Sequence, residues 1–312
     1  MVLALAIGAD ALLGVGWVLQ AQVAARNAAR AESGWRLLRG LVKTPLWWGG
    51  IAAMALGQSL AAWALQAGAV AVVEPLLVGC LLFAFAFAAW HGIQRVSPGE
   101  LLGTLVVVVG VALFLGAARP RPDLTLAPRL WVILAATAAA TGLAALLVSA
   151  GRVIGRRRHP AGESAAFAAA AGVMYALQDV STRGAIDVAR QRNLVALVGT
   201  AWPYALLGAA TAGVLISQAA FRAARLDWSL PPTVAAQPII GVAMGVALLG
   251  DRLRWTTLSA VIQAVGVPLT LIGLVIVGRS PILRHADRFQ RREAADRGGA
   301  RVAPSVSPRT TQ

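Results

Sequence analysis

Charge is scarce in this chain. Asp, Glu, Lys and Arg make up 13% of 312 residues, about half the share in a typical soluble domain. Acidic residues number 13, histidines three and tyrosines two, and Cys80 is the single cysteine. One cysteine excludes an internal disulfide framework and a cysteine-built zinc site. His91, His159 and His285 lie at or beyond the ends of apolar runs, without the clustering a zinc site needs. There is no GxSxG elbow, no Walker loop and no paired-histidine motif, so hydrolase, nucleotide-dependent and zincin chemistry have no sequence support. Of the 28 basic residues all but Lys43 are arginine. They stand between and after apolar runs rather than among stacking aromatics, which argues against a nucleic-acid partner. Residues 1–25 lack a basic leader and are interrupted by Asp10, so no cleavable signal is expected.

What is abundant is apolar surface: 58% of residues are hydrophobic and the mean hydropathy is +0.70. A helix needs about 20 mostly apolar residues to cross a bilayer. Segments of that kind recur at 2–25, 46–66, 69–90, 99–118, 129–150, 164–182, 194–219, 230–250 and 255–277. The expectation is therefore an all-α polytopic membrane protein with nine spans. Arginines concentrate on one set of links (Arg26, Arg36, Arg95, Arg156, Arg222) and on the tail after Arg279. By the positive-inside rule the amino terminus lies outside and the carboxyl terminus inside, which requires an odd number of spans. The expected location is a cell membrane of the bacterial inner or plasma-membrane type. Residues 279–312 read as a disordered basic tail that fixes topology or touches anionic lipid headgroups.

Two segments resemble each other across the chain: Val72-Val73-Glu74-Pro75-Leu76-Leu77-Val78-Gly79 and Val234-Ala235-Ala236-Gln237-Pro238-Ile239-Ile240-Gly241. Each carries a polar residue before a proline, and each leads by a short basic hairpin into a glycine-spaced helix: Gly103, Gly110, Gly116 in one and Gly266, Gly273, Gly278 in the other. Proline frees a backbone carbonyl in the preceding turn, and matched interruptions in two halves point to the substrate site of a secondary transporter. This pattern divides the chain into a first repeat at 1–118 with four helices and a second at 129–278 with five.

The stretch Lys43-Thr44-Pro45-Leu46-Trp47-Trp48-Gly49-Gly50, continuing through Met54, Gly57, Gln58, Gly68, Val72, Val73 and Pro75, resembles NIPA-type magnesium transporters of the drug/metabolite transporter (DMT) superfamily. Pro238 and the Gly250-Asp251-Arg252-Leu253 turn are similar to the carboxyl-terminal repeat of that superfamily, an EamA-like pattern. The resemblance implies inverted repeats around a central cavity. The chain departs from the NIPA pattern at Gln58, where an acid is usual, and at Ala61 and Ala62, near which an asparagine is usual.

Ionisable residues inside a membrane are costly and usually functional. Three carboxylates qualify: Asp10, which shares a helix face with Gly14 and Trp17; Glu74, beside Pro75; and Asp179, one turn from Tyr175 and close enough to Arg183 to form an interfacial pair instead. A hard cation such as Mg²⁺ takes oxygen ligands, which Glu74 and Asp10, with Gln58 and Gln237, could supply. The same carboxylates could instead take up and release protons for export of a small metabolite or drug. The candidate site is accordingly Asp10, Gln58, Glu74, Pro75, Asp179, Gln237 and Pro238, in a carrier that needs no cofactor and acts alone or as a homodimer. An intramembrane aspartyl enzyme using Asp10 and Asp179 is a remote alternative.

Overall fold

The computed structural model describes residues 2–29, 35–67, 78–93, 96–118, 130–157, 159–192, 194–224, 226–249 and 256–278. These form eleven α-helices with no strand among them: α1 (Val2–Ala29), α2 (Trp35–Val42), α3 (Pro45–Ala67), α4 (Cys80–Trp90), α5 (Pro98–Ala118), α6 (Leu130–Arg156), α7 (Pro160–Gln191), α8 (Leu194–Val198), α9 (Trp202–Ala223), α10 (Leu226–Leu249) and α11 (Thr257–Gly278). Six are long and apolar enough to cross a membrane: α1, α5, α6, α9, α10 and α11. The chain is thus an all-helical, multi-pass membrane protein.

Three element boundaries depart from the apolar runs. The run at 194–219 is interrupted at Gly199–Ala201, because Pro203, which lacks an N–H, suits the first turn of a new helix and not the middle of an old one. α7 runs well past 182 to Gln191, carrying Arg183, Asp187 and Arg190; alanine-rich sequence keeps the helix favourable after the apolar run has ended. α10 continues through Pro231, Pro232 and Pro238 as one helix, so Gln237 and Pro238 sit inside a helix and not at a break.

Close approaches define how the helices pair. A Cβ on Gly16 would lie 2.9 Å from the Gly50 carbonyl oxygen, and one on Gly57 3.1 Å from that of Ala9, so α1 and α3 run antiparallel. A Cβ on Gly14 would meet the Ala84 nitrogen at 2.7 Å and the Cys80 oxygen at 2.9 Å, and Asp10 lies one turn earlier beside Cys80, so α1 and α4 run parallel. In the other half, α7 is antiparallel to α9 (Gly184 on Trp202, Gly213 on Tyr175) and parallel to α10 (Gly172 on the Thr233 oxygen and the Gln237 nitrogen).

The two sets meet at α5 and α11. A Cβ on Gly103 would stand 2.7 Å from the Val277 nitrogen, on Gly110 2.6 Å from that of Thr270, on Gly266 2.9 Å from that of Phe114, and on Gly273 2.6 Å from that of Val107. The helices are antiparallel and in backbone contact. Small residues two turns apart on one face permit this approach, and van der Waals packing is what joins helices where lipid removes the hydrophobic drive.

Reciprocal caps begin both helices. Ser97 Oγ accepts from the Glu100 N–H at 3.1 Å, while Glu100 Oε2 accepts from the Ser97 N–H at 2.9 Å. Thr256 and Ser259 repeat the arrangement at 3.1 and 2.9 Å. Ser97→Ala is expected to cost about 1 kcal/mol, seen as a lowered thermal midpoint of the purified protein in detergent.

Because the links at 91–97 and 250–256 are short, α5 runs opposite to α4 and α11 opposite to α10. With α5 antiparallel to α11, α1 and α7 therefore point in opposite directions. α7 is enclosed by α6, α9 and α10 and is buried on most of its surface between Ser164 and Ala185.

Candidate functional site

α1 and α7 meet through aromatic side chains. Trp17 stands edge-on to Tyr175 with ring centroids 5.5 Å apart, and edge-on to Phe221 of α9 at 5.9 Å. The Tyr175 hydroxyl is 3.2 Å from Ser217 Oγ. One turn along α1 from Trp17, Gln20 accepts at Oε1 from Gln218 Nε2 at 2.7 Å, and its own Nε2 lies 2.9 Å from the Met54 sulfur. Both glutamines are 1% exposed. An amide bridge between α1 and α9 thus closes the seam on the side where α1 ends.

The carboxylates lie on the other side of the aromatic contact. Asp10 precedes Trp17 by two turns and Asp179 follows Tyr175 by one. At 1.5 Å per residue, on helices of opposite direction, that places them about 10 Å and about 6 Å along the axis toward the same face. Gln237 Nε2 donates to Asp179 Oδ2 at 2.7 Å, joining α7 to α10. Asp10 is 4% exposed and accepts from the Cys80 N–H at the start of α4. A helix start offers unsatisfied N–H groups and favours negative charge, which accounts for one oxygen of the carboxylate. Its Oδ1 is buried with no partner among the described residues.

Of the seven candidate residues, the structure joins Asp179 to Gln237, with Pro238 next to Gln237 and half-buried. It sets Asp10 near the same face, against α4. Gln58 is exposed on α3, so it does not join the group. Glu74 and Pro75, like the tail from 279, lie outside the described residues.

The sequence pairing of Glu74 with Gln237 falls outside the described residues on the Glu74 side. Gly14 abuts Cys80 and Ala84 of α4, and Gly172 abuts Thr233 and Gln237 of α10. One turn earlier on each helix, Asp10 lies beside Cys80 and the Ala168 carbonyl accepts from Thr233 Oγ1 at 3.0 Å.

Three features escaped the sequence reading. Glu100 is fully buried, with Oε1 unpartnered among the described residues; its signal was the Ser97-x-x-Glu100 capping pattern. The amide bridge of Gln20 and Gln218 had no local signal. A second internal likeness was present in the letters: Gly14-Val15-Gly16-Trp17-Val18-Leu19-Gln20 against Gly172-Val173-Met174-Tyr175-Ala176-Leu177-Gln178, and, at the same offset, Ser59-Leu60-Ala61-Ala62-Trp63 against Ser217-Gln218-Ala219-Ala220-Phe221.

No protein-family model matches the chain, and no solved structure does. A protein of Corynebacterium glutamicum described as uncharacterized is 23% identical over 268 residues, which cover 85% of this chain and 90% of that one. The chain is therefore similar over most of its length to a bacterial protein of nearly equal extent.

Proposed function

We propose that the protein is a secondary transporter that moves a small cationic solute across the membrane by alternating access, at a seam between α1, α7 and α10. The observation that carries this reading is the placement of two carboxylates, Asp10 and Asp179, inside a bundle of apolar helices on one side of the Trp17–Tyr175 contact. Carboxylates in a membrane interior are expensive and mark ion or substrate paths. Their oxygens, with the Gln237 carboxamide, are the ligand type a hard divalent cation such as Mg²⁺ takes, and Mg²⁺ keeps several of its waters and needs only one or two protein carboxylates.

The inverted-repeat reading of a DMT-type carrier is supported by three features: the equal offset of the two paired motifs, the matching parallel and antiparallel contacts of α1 with α4 and α3 and of α7 with α10 and α9, and the opposed directions of α1 and α7. α6 is the helix without a counterpart in this scheme, in keeping with four helices in one half and five in the other.

One observation favours a second reading, a proton-coupled exporter of a small metabolite. The buried, unpartnered Oδ1 of Asp10 is an oxygen that a bound proton would suit. Flux of purified protein in liposomes separates the two. Mg²⁺ entry reported by an internal indicator, unchanged by collapsing the pH gradient, supports the cation reading. Proton movement coupled to an organic solute, lost in Asp10→Asn and without Mg²⁺ flux, replaces it.

A further inference from the structure

The shared offset of the two motif pairs gives each residue of α1 and α3 a counterpart in α7 and α9, and the counterparts are buried unequally. On one side Gln20, Ala21 and Ala24 of α1 are buried, as are Ser217, Gln218 and Phe221 of α9. Their counterparts are Gln178, Asp179 and Thr182 of α7 and Ser59, Leu60 and Trp63 of α3, all of them half-buried or exposed. Phe221 is 5% exposed and Trp63 63%. α1 packs on α9, and among the described residues no comparable packing joins α3 to α7. Trp17 and Tyr175, which are counterparts of each other, are equally buried, at 6% and 7%, and they touch.

The register is firm because contacts map onto contacts. Gly213 against Tyr175 in the second half falls at the same level as Met54 against Gly16 in the first, and Trp202 against Gly184 falls at the end of the bundle where α1 ends its pairing with α3. Phe221 faces α1 across the seam. Trp63, in the same position on its own helix pair, is exposed.

We infer that Trp63 and Leu60 of α3 form, with Tyr175 and Gln178 of α7, a gate that is open in this structure and closes in the opposite state. The gate that is closed here is its counterpart, made by Trp17 and Gln20 against Phe221 and Gln218. The inference rests on the carrier reading and deepens it. In two related halves that share one fold, the natural second state exchanges their conformations, so that Tyr175 takes Trp63 as its edge-on partner while the Trp17–Phe221 contact and the Gln20–Gln218 bridge part. The open gate lies on the face toward which Asp10 and Asp179 point. By the arginine distribution that face is the outer one. Asp179 occupies the position of Ala21, so closure of the α3–α7 gate encloses a carboxylate that the other gate lacks.

The gates also differ in chemistry. Gln218 has Leu60 as its counterpart, so the amide bridge that locks the closed gate has no equivalent in the open one. The state seen here is favoured by one buried hydrogen bond over its exchange partner.

Two cysteine pairs in a Cys80→Ala background test this: Gln20→Cys with Gln218→Cys for the closed gate and Leu60→Cys with Gln178→Cys for the open one. In proteoliposomes treated with a short bis-maleimide, both pairs are expected to link, because an irreversible reagent collects even a state populated at about 0.1–10%. Pulsed EPR distances between spin labels at Leu60→Cys and Gln178→Cys, both tolerant half-buried positions, are expected to show a second, shorter population beside the separation in this structure. Linking of the first pair without the second, together with a single long distance, overturns the gate. If wild-type-like flux persists in that outcome, the carrier reading stands and only the gate falls. If both pairs link in a protein without flux of any cation or proton, the two-state gate holds and the carrier reading falls.

Discussion

Asp179→Asn is expected to abolish flux, while Gln237→Leu is expected to weaken apparent solute affinity by about ten- to a hundred-fold and leave the maximal rate closer to wild type. The difference follows from their positions. Asp179 offers a carboxylate in the apolar bundle, and the Gln237 amide fixes one of its oxygens at 2.7 Å. Removing the charge removes the group that meets a cation. Removing the amide leaves the charge but frees its orientation, and partners that orient a ligand typically cost that much when lost. The double variant should be no worse than Asp179→Asn alone, since two residues acting through one interaction are not additive. The check is initial flux against solute concentration in proteoliposomes matched for protein content. Equal losses in rate for the two single variants would indicate that the pair holds helices together and does not meet solute.

The second large effect concerns the joint between the halves. Gly110→Leu is expected to eliminate correctly folded protein, and Gly110→Ala to cost about 1–3 kcal/mol. Even one added carbon would lie 2.6 Å from the Thr270 nitrogen and 2.9 Å from the Gly266 oxygen, both backbone atoms of α11 that cannot rotate away. Gly142 and Gly208 have nothing within 4 Å of an added Cβ, so alanine there should be neutral or slightly stabilising through helix propensity. Monodisperse yield by size-exclusion chromatography and thermal midpoints in detergent, measured on the four variants, separate the two classes of glycine.

How much of this was legible in the letters depended on which physical signal each feature carries. Apolar runs announced α1, α3, α5 and α11 within a few residues, because bilayer thickness sets span length directly. α7 was underestimated, since Arg183, Asp187 and Arg190 end its apolar run but not its helix. The break at Gly199–Ala201 was hidden because the sequence remains apolar through it.

Gln58 was assigned to the site although it is exposed on α3. A helix apolar on nearly every side gives no moment from which to phase its faces. The prolines drew attention to a pairing of Glu74 with Gln237, of which only the Gln237 side lies among the described residues, while the close approaches of Gly14 and Gly172 are visible only in the packing. Asp179 and Gln237 were both singled out by chemistry, as polar groups in apolar helices, but their hydrogen bond joins helices α7 and α10 and has no local trace in sequence.

The most direct measurement for the central claim is Mg²⁺ uptake by liposomes that carry the wild-type protein, run beside the Asp10→Asn, Asp179→Asn double variant and protein-free liposomes. The carrier account predicts saturable entry in the first and background in the other two, with the double variant still folded by size-exclusion chromatography. Equal entry by wild type and the folded double variant would contradict the site, and background in all three, for protons as well as for Mg²⁺, would contradict the carrier itself.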